Sequence, residues 1–202
     1  MATIRPASAT DLPALRTVCA LAYVDNPLMR WVLPDDATRP DACAAWLGPS
    51  LERYLAAGLV DVLTVDDDVV GLAAWRLPGG DPAGSGAVAT LPRPAGVLAA
   101  LVGEERATQV LHALRAGGAL APRPAGPYLN YLAVHPAHQG HGLGGALLRH
   151  GRTATAALSG TPWVATTDPR NVPFYERHGF VAAGTVPLGA DGPTLQVLHA
   201  TP

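Results

Sequence analysis

Residues 128–148, YLNYLAVHPAHQGHGLGGALL, read in order as strand, short loop, glycine cluster and helix. The run 128–134 is nearly continuous in β-type residues and is closed by Pro136, the pattern of a central buried strand. Gly140, Gly142 and Gly144 lack a Cβ, so backbone N–H groups there can turn toward an anion and approach it closely. The helix predicted over 142–157 begins at the same place. Its first N–H groups have no intrahelical partner, and its macrodipole puts partial positive charge at that end. Such a cradle suits a pyrophosphate and needs few basic side chains.

Two ligands fit it. Gly140, Gly142 and Gly145 satisfy the dinucleotide pattern GxGxxG, with Asp168 at the end of an expected strand as the ribose-binding carboxylate. A dinucleotide turn, however, follows its strand directly and opens its domain. Here HPAHQ intervenes and well over half the chain comes first, which favours the pyrophosphate of coenzyme A.

Outward from this stretch, 62–65 and 69–75 are apolar runs separated by Asp66, Asp67 and Asp68, the composition of a tight turn between antiparallel strands. The aspartates are read as a solvated turn and not as a calcium site. Residues 3–5 start a strand, Thr10 is a candidate N-cap, and Leu12, Leu15, Val18, Cys19 and Ala22 follow helical spacing. Trp46, Leu47, Leu51, Tyr54 and Leu55 repeat every three or four residues within a helix over 38–57, with Gly58 as its stop. Pro and Gly clusters predict loops at 77–96 and 117–127, with a helix over 97–114 between them. A strand at 163–167, a short helix at 172–178 and strands at 180–186 and 195–199 complete the chain. Strands and helices mixed in this order predict a single α+β domain over 1–202, with mixed α/β layers.

Composition narrows the function. A chain of 202 residues, 49% hydrophobic and 15% charged, buries a core without disulfides or metal. Fourteen basic residues face 16 acidic ones without a basic run, and the net charge of -2 argues against nucleic acid as a partner. Cys19 and Cys43 lack the spacing of a metal or redox motif and read as buried thiols. MATIRPASATDLPAL has polar and charged residues where a secretory signal needs an apolar core, and no apolar run reaches membrane-spanning length. A soluble cytoplasmic protein without a membrane partner is expected.

LAVHPAHQGHGLG, with Gln139, Gly142 and Gly144 behind a strand ending LAV, resembles the acyl-coenzyme A motif Q/R-x-x-G-x-G/A of the GNAT superfamily. About thirty residues on, PRNVPFYERHGF is similar to that superfamily's later motif, an Asn, then a Tyr, then Gly-Phe. Within the superfamily, both stretches are similar to the puromycin N-acetyltransferase group. The resemblance implies the GNAT fold: a mostly antiparallel sheet splayed between its fourth and fifth strands, with helices on both faces and the pantetheine arm of acetyl-CoA in the gap. It implies that Leu132, Ala133 and Val134 meet the arm, that Gln139, Gly140, His141, Gly142, Leu143, Gly144 and Gly145 hold the pyrophosphate, and that Asn171 and Tyr175 contact the cosubstrate. The implied activity is acetyl transfer from acetyl-CoA to a primary amine of an antibiotic- or metabolite-like small molecule, by a monomer or homodimer and without a metal.

When an amine attacks a thioester, oxygen gains negative charge and sulfur leaves as a thiolate that needs a proton. A preorganised backbone N–H stabilises the oxyanion without reorienting, a role that falls to Leu132. A phenol with an ordinary pKa of about 10 matches a thiolate in basicity, which makes Tyr175 the acid. Some relatives carry histidines where this chain has Tyr128 and Asn130. Both are assigned to the acceptor and Asn130 is grouped with the catalytic residues, although an amide is no base. Asp25, Glu104 or Glu105 acting through water, or an acceptor of low pKa, would replace that base. Asp25 and Trp31, in DNPLMRWVLPD, are expected in the acceptor pocket, with Asp25 opposite a cationic substrate. His135, His138 and His141 sit three apart without a second ligand set, so no metal is expected. The alternatives are a protein amine as acceptor, another acyl donor, or a coenzyme A-binding module without catalysis.

Overall fold

The computed structural model describes residues 1–56, 59–80 and 91–201; Gly58, the expected helix stop, and 81–90 of the expected loop lie outside the described residues. Strands β2 (Val60–Val65) and β3 (Asp68–Arg76) pair antiparallel across Asp66 and Asp67, which take left-handed φ values of +49° and +71°. Alternation along them divides the apolar residues between two cores. Val62, Leu72 and Ala74 face one, and Leu63, Ala73 and Trp75 face the other, as a period of two requires when both faces are covered.

The first core is closed by α1 (Leu12–Tyr23), α2 (Pro27–Val32), α3 (Arg39–Ala56), α4 (Pro94–Val102) and α5 (Glu104–Ala116). The second is closed by α6 (Leu143–Ala154) and α7 (Val172–Arg177). Helix α6 lies so close to β3 that a Cβ on Gly151 would sit 2.2 Å from Trp75 Nε1. With β1 (Ala2–Pro6), β4 (Ala125–Val134), β5 (Thr161–Thr166), β6 (Phe180–Pro187) and β7 (Thr194–Ala200), the sheet runs β1-β2-β3-β4-β5-β7-β6. Every pairing is antiparallel except β4 with β5. Those two strands are in register at Ala125/Thr161, Tyr128/Trp163 and Leu129/Val164 and pair no further, although both continue. The α+β class and the splay between the fourth and fifth strands are therefore as expected.

Several boundaries differ. The helix expected over 97–114 is two, because Gly103 at φ +84° breaks it between α4 and α5. Segment 25–35, expected as a loop, contains α2: Asn26 Oδ1 accepts from Leu28 N–H at 2.9 Å, and Pro27 fills the first helical position. Strand β4 begins inside the loop expected at 117–127, and α6 stops at Ala154, short of 157. Ser8 and Asp11, not Thr10, form the capping box ahead of α1. Among the described residues no helix is long and apolar enough to cross a membrane.

Candidate active site

Past the end of β4 the chain turns through Pro136–His138 into the glycine loop, and Gln139 Nε2 donates to Val134 O at 2.9 Å, tying loop to strand. Gly140 and Gly142 have φ of +79° and +75°, and a Cβ at either would meet nothing within 4 Å. Backbone conformation, not space, calls for glycine there. Gly142 is the N-cap of α6, and the first helical acceptor is its own carbonyl, bonded by Ala146 N–H at 3.1 Å. The N–H groups of Leu143, Gly144 and Gly145 therefore lack helical partners and face the loop. Gly145 serves packing as well, since a Cβ would lie 2.6 Å from His178 Nε2.

A cavity of about 730 Å³ covers this loop and is lined also by Leu132, Ala133, Val134 and Arg149. Asp168, the carboxylate a dinucleotide would need, borders this cavity but is engaged within its own turn. It accepts from Arg170 N–H at 3.0 Å and pairs with the Arg170 guanidinium at 2.7 Å, which holds its pKa below the ordinary value. His135 Nδ1 accepts from Ala137 N–H, and His141 is exposed. Among the described residues no group of three His, Cys, Asp or Glu side chains could hold a metal.

Where β4 parts from β5, the N–H and C=O of Leu132 face the gap, and the hydroxyl of Tyr23 takes the place of a strand. It accepts from Leu132 N–H at 3.1 Å and donates to Leu132 O at 3.0 Å. Burial pushes its phenol pKa well up, so the hydroxyl stays protonated. Three residues on, Asn26 Oδ1 accepts from Thr167 Oγ1 at 2.6 Å, just beyond β5. The end of α1 and the cap of α2 thus grip both lips of the opened sheet. Sequence reasoning missed Tyr23 and Asn26. Asn-Pro as a helix start was a readable signal for the second; nothing local marked the first.

Tyr175, on α7, is buried at 7% exposure, and burial raises its pKa too. Beside it Asn171 Nδ2 donates to Thr166 Oγ1 at 3.3 Å. Both residues, with Tyr23, Asn26 and Leu132, line the first cavity and also a second of about 590 Å³. Asn130, Tyr128 and Trp163 line the second, the last two rings 4.3 Å apart.

The other residues expected at the acceptor, and the candidate bases Glu104 and Glu105, do not line the second cavity. Asp25 borders the first cavity and pairs with Arg30 at 2.6 Å. Trp31 packs under the Arg106 guanidinium, 4.2 Å from its ring centre, and donates to Asp191 at 3.3 Å. Glu104 and Glu105 are exposed in the first turn of α5, and neither lines a cavity.

Residues 98–182, which hold the glycine loop, the gap and Tyr175, match the acetyltransferase (GNAT) domain family. The chain has the GNAT fold. A Corynebacterium glutamicum crystal structure described as histone acetyltransferase HPA2 and related acetyltransferase superposes with a TM-score of 0.72 at 25% identity, covering 100% of this chain and 96% of that one. Mosquito arylalkylamine N-acetyltransferase like 5b gives 0.60 at 15% identity, covering 98% and 99%. The Escherichia coli ribosomal-protein-S18-alanine N-acetyltransferase gives 0.53 at 20%, covering 100% and 94%. In GNAT terms, the parting of β4 from β5 is the splay of the fold, and both cavities open onto it.

Proposed function

We propose that this chain transfers an acetyl group from acetyl-CoA to a primary amine of a small molecule, by direct attack of the amine on the thioester. The observation that carries this reading is the meeting of two cavities at Leu132 and Tyr175, one over an anion-binding loop and the other lined by aromatic residues. A two-substrate transfer needs such a junction, and a binding module does not.

The residues divide the work as follows. The free N–H groups of Leu143, Gly144 and Gly145 hold the pyrophosphate, with Arg149 beside them. Leu132 N–H, on being released by Tyr23, receives the thioester oxygen and stabilises the charge that develops on it. The amine nitrogen forms its bond to the acetyl carbon from the second cavity, the carbon–sulfur bond breaks, and the nitrogen gives up its proton to water. Tyr175, protonated because it is buried, donates to the departing thiolate and is reprotonated from solvent. Tyr175 lines both cavities, which suits an acid for the leaving group.

The test is thiol release from acetyl-CoA across a panel of amines, with the product identified by mass, together with thermal unfolding in acetyl-CoA, coenzyme A and NAD. Amine-dependent thiol release and stabilisation by both coenzyme A forms support the reading. Stabilisation by NAD alone would overturn it in favour of a dinucleotide.

A further inference from the structure

All 14 basic residues of the chain are arginine. Away from the second cavity, many are neutralised: Arg5 by Asp11, Arg16 by Glu52, Arg30 by Asp25, Arg39 by Asp36 and Arg170 by Asp168. Arg76 and Arg115 line the second cavity, and among the described residues its lining includes no Asp or Glu. Arg76, the last residue of β3, lies 4.9 Å over the ring of Tyr128, which itself packs on Trp163. A guanidinium seated over an aromatic ring still has N–H groups with which to bind a carboxylate in bidentate fashion.

From this we infer that the acceptor is an amine that carries a carboxylate on an apolar or aromatic body, an α-amino acid or a close analogue, and not a polycationic amine. The inference rests on the acetyltransferase reading and names its substrate class. It also accounts for the missing base. A cationic, partly apolar chamber disfavours an ammonium ion, so the acceptor nitrogen loses its proton to water on entry without a protein carboxylate to remove it. The Tyr128 and Trp163 rings, tilted against each other 4.3 Å apart, offer apolar surface for the body, while Arg76 fixes the carboxylate and so turns the amine toward Leu132 and Tyr175.

The test uses matched amines with and without the carboxylate: phenylalanine and phenethylamine, tryptophan and tryptamine, methionine and 3-(methylthio)propylamine. Acetylation is followed by thiol release, and binding by calorimetry in the presence of coenzyme A. The carboxylated member of at least one pair should be favoured by about tenfold or more in kcat/KM or affinity, the scale of one charge-assisted hydrogen-bonded pair. Arg76→Gln should narrow that ratio and Arg76→Lys should restore part of it, with acetyl-CoA binding measured for each variant as the check on folding. If acetyl-CoA binds but no carboxylated member is favoured, or if the ratio survives Arg76→Gln and Arg115→Gln, the inference falls and the acetyltransferase reading stands. If acetyl-CoA fails to bind the unaltered protein, both fall.

Discussion

Replacing Tyr23 by Phe removes one hydroxyl and leaves the ring in place, so its effect isolates the bonds across the gap. Two hydrogen bonds are lost, at 3.0 and 3.1 Å, and the N–H and C=O of Leu132 are left facing two cavities that water can enter. Partial replacement by water puts the cost near the net value of one hydrogen bond, about 1 kcal/mol. For a chain of this length, that lowers the melting temperature of the free protein by about 2–4 °C. Acetyl-CoA that bonds to Leu132 must displace the Tyr23 hydroxyl from the native protein and has nothing to displace from Tyr23→Phe. By linkage, the variant should bind acetyl-CoA about fivefold more tightly, and the difference in stability should close at saturation. Calorimetric titration and thermal unfolding with and without acetyl-CoA measure both quantities. An equal deficit in both conditions, or weaker binding by the variant, would refute the displacement of Tyr23 by the cosubstrate.

Tyr175→Phe should lower kcat by about a hundredfold or more while leaving acetyl-CoA affinity unchanged; a loss confined to affinity would make Tyr175 a wall and not an acid. Burial raises the phenol pKa of Tyr23, Tyr128, Tyr131 and Tyr175, so above the ordinary value of about 10 the folded chain keeps protons that the unfolded chain releases. Stability is then fully present below pH about 10 and falls above it, by up to about 1.4 kcal/mol per pH unit for each phenol; urea unfolding that is flat across that range would contradict it. Gly142→Ala forces a side chain into a left-handed conformation at φ +75°, which should cost about 1 kcal/mol and weaken acetyl-CoA binding in titration. Gly151→Ala, with its Cβ 2.2 Å from Trp75 Nε1, should be the more destabilising of the two, by about 2 kcal/mol or more, in chemical denaturation.

The parts of this site that were legible in the sequence are those encoded locally. Gly140 and Gly142 announce left-handed backbone, and the helix that follows announces free N–H groups, so the anion loop could be read from a few neighbouring residues. The hairpin of β2 and β3 was legible as two apolar runs flanking Asp66, Asp67 and Asp68. Helix α4 could not be separated from α5, because Gly103 lies in a stretch of otherwise helical composition and a lone glycine in a helix costs only about 1 kcal/mol. The grip on the gap was not legible at all: Tyr23 is 109 residues from Leu132 and Asn26 is 141 from Thr167. The partners of Asp25 and Trp31 were not legible either. Each looks available in sequence, but Arg30 and Asp191 respectively engage them in the fold. The arginine lining of the second cavity likewise gathers β3 and α5, which no spacing rule connects.

The proposed mechanism puts acetyl-CoA in the gap between β4 and β5 with its thioester at Leu132, and a crystal structure of the complex with acetyl-CoA or a non-hydrolysable thioether analogue tests that placement. The pyrophosphate should lie on the N–H groups at the start of α6, the thioester oxygen within hydrogen-bond distance of Leu132 N–H, and the Tyr23 hydroxyl should have moved off that group. A cosubstrate bound outside the gap, or seated in it with the Tyr23–Leu132 bonds intact, would rule the mechanism out.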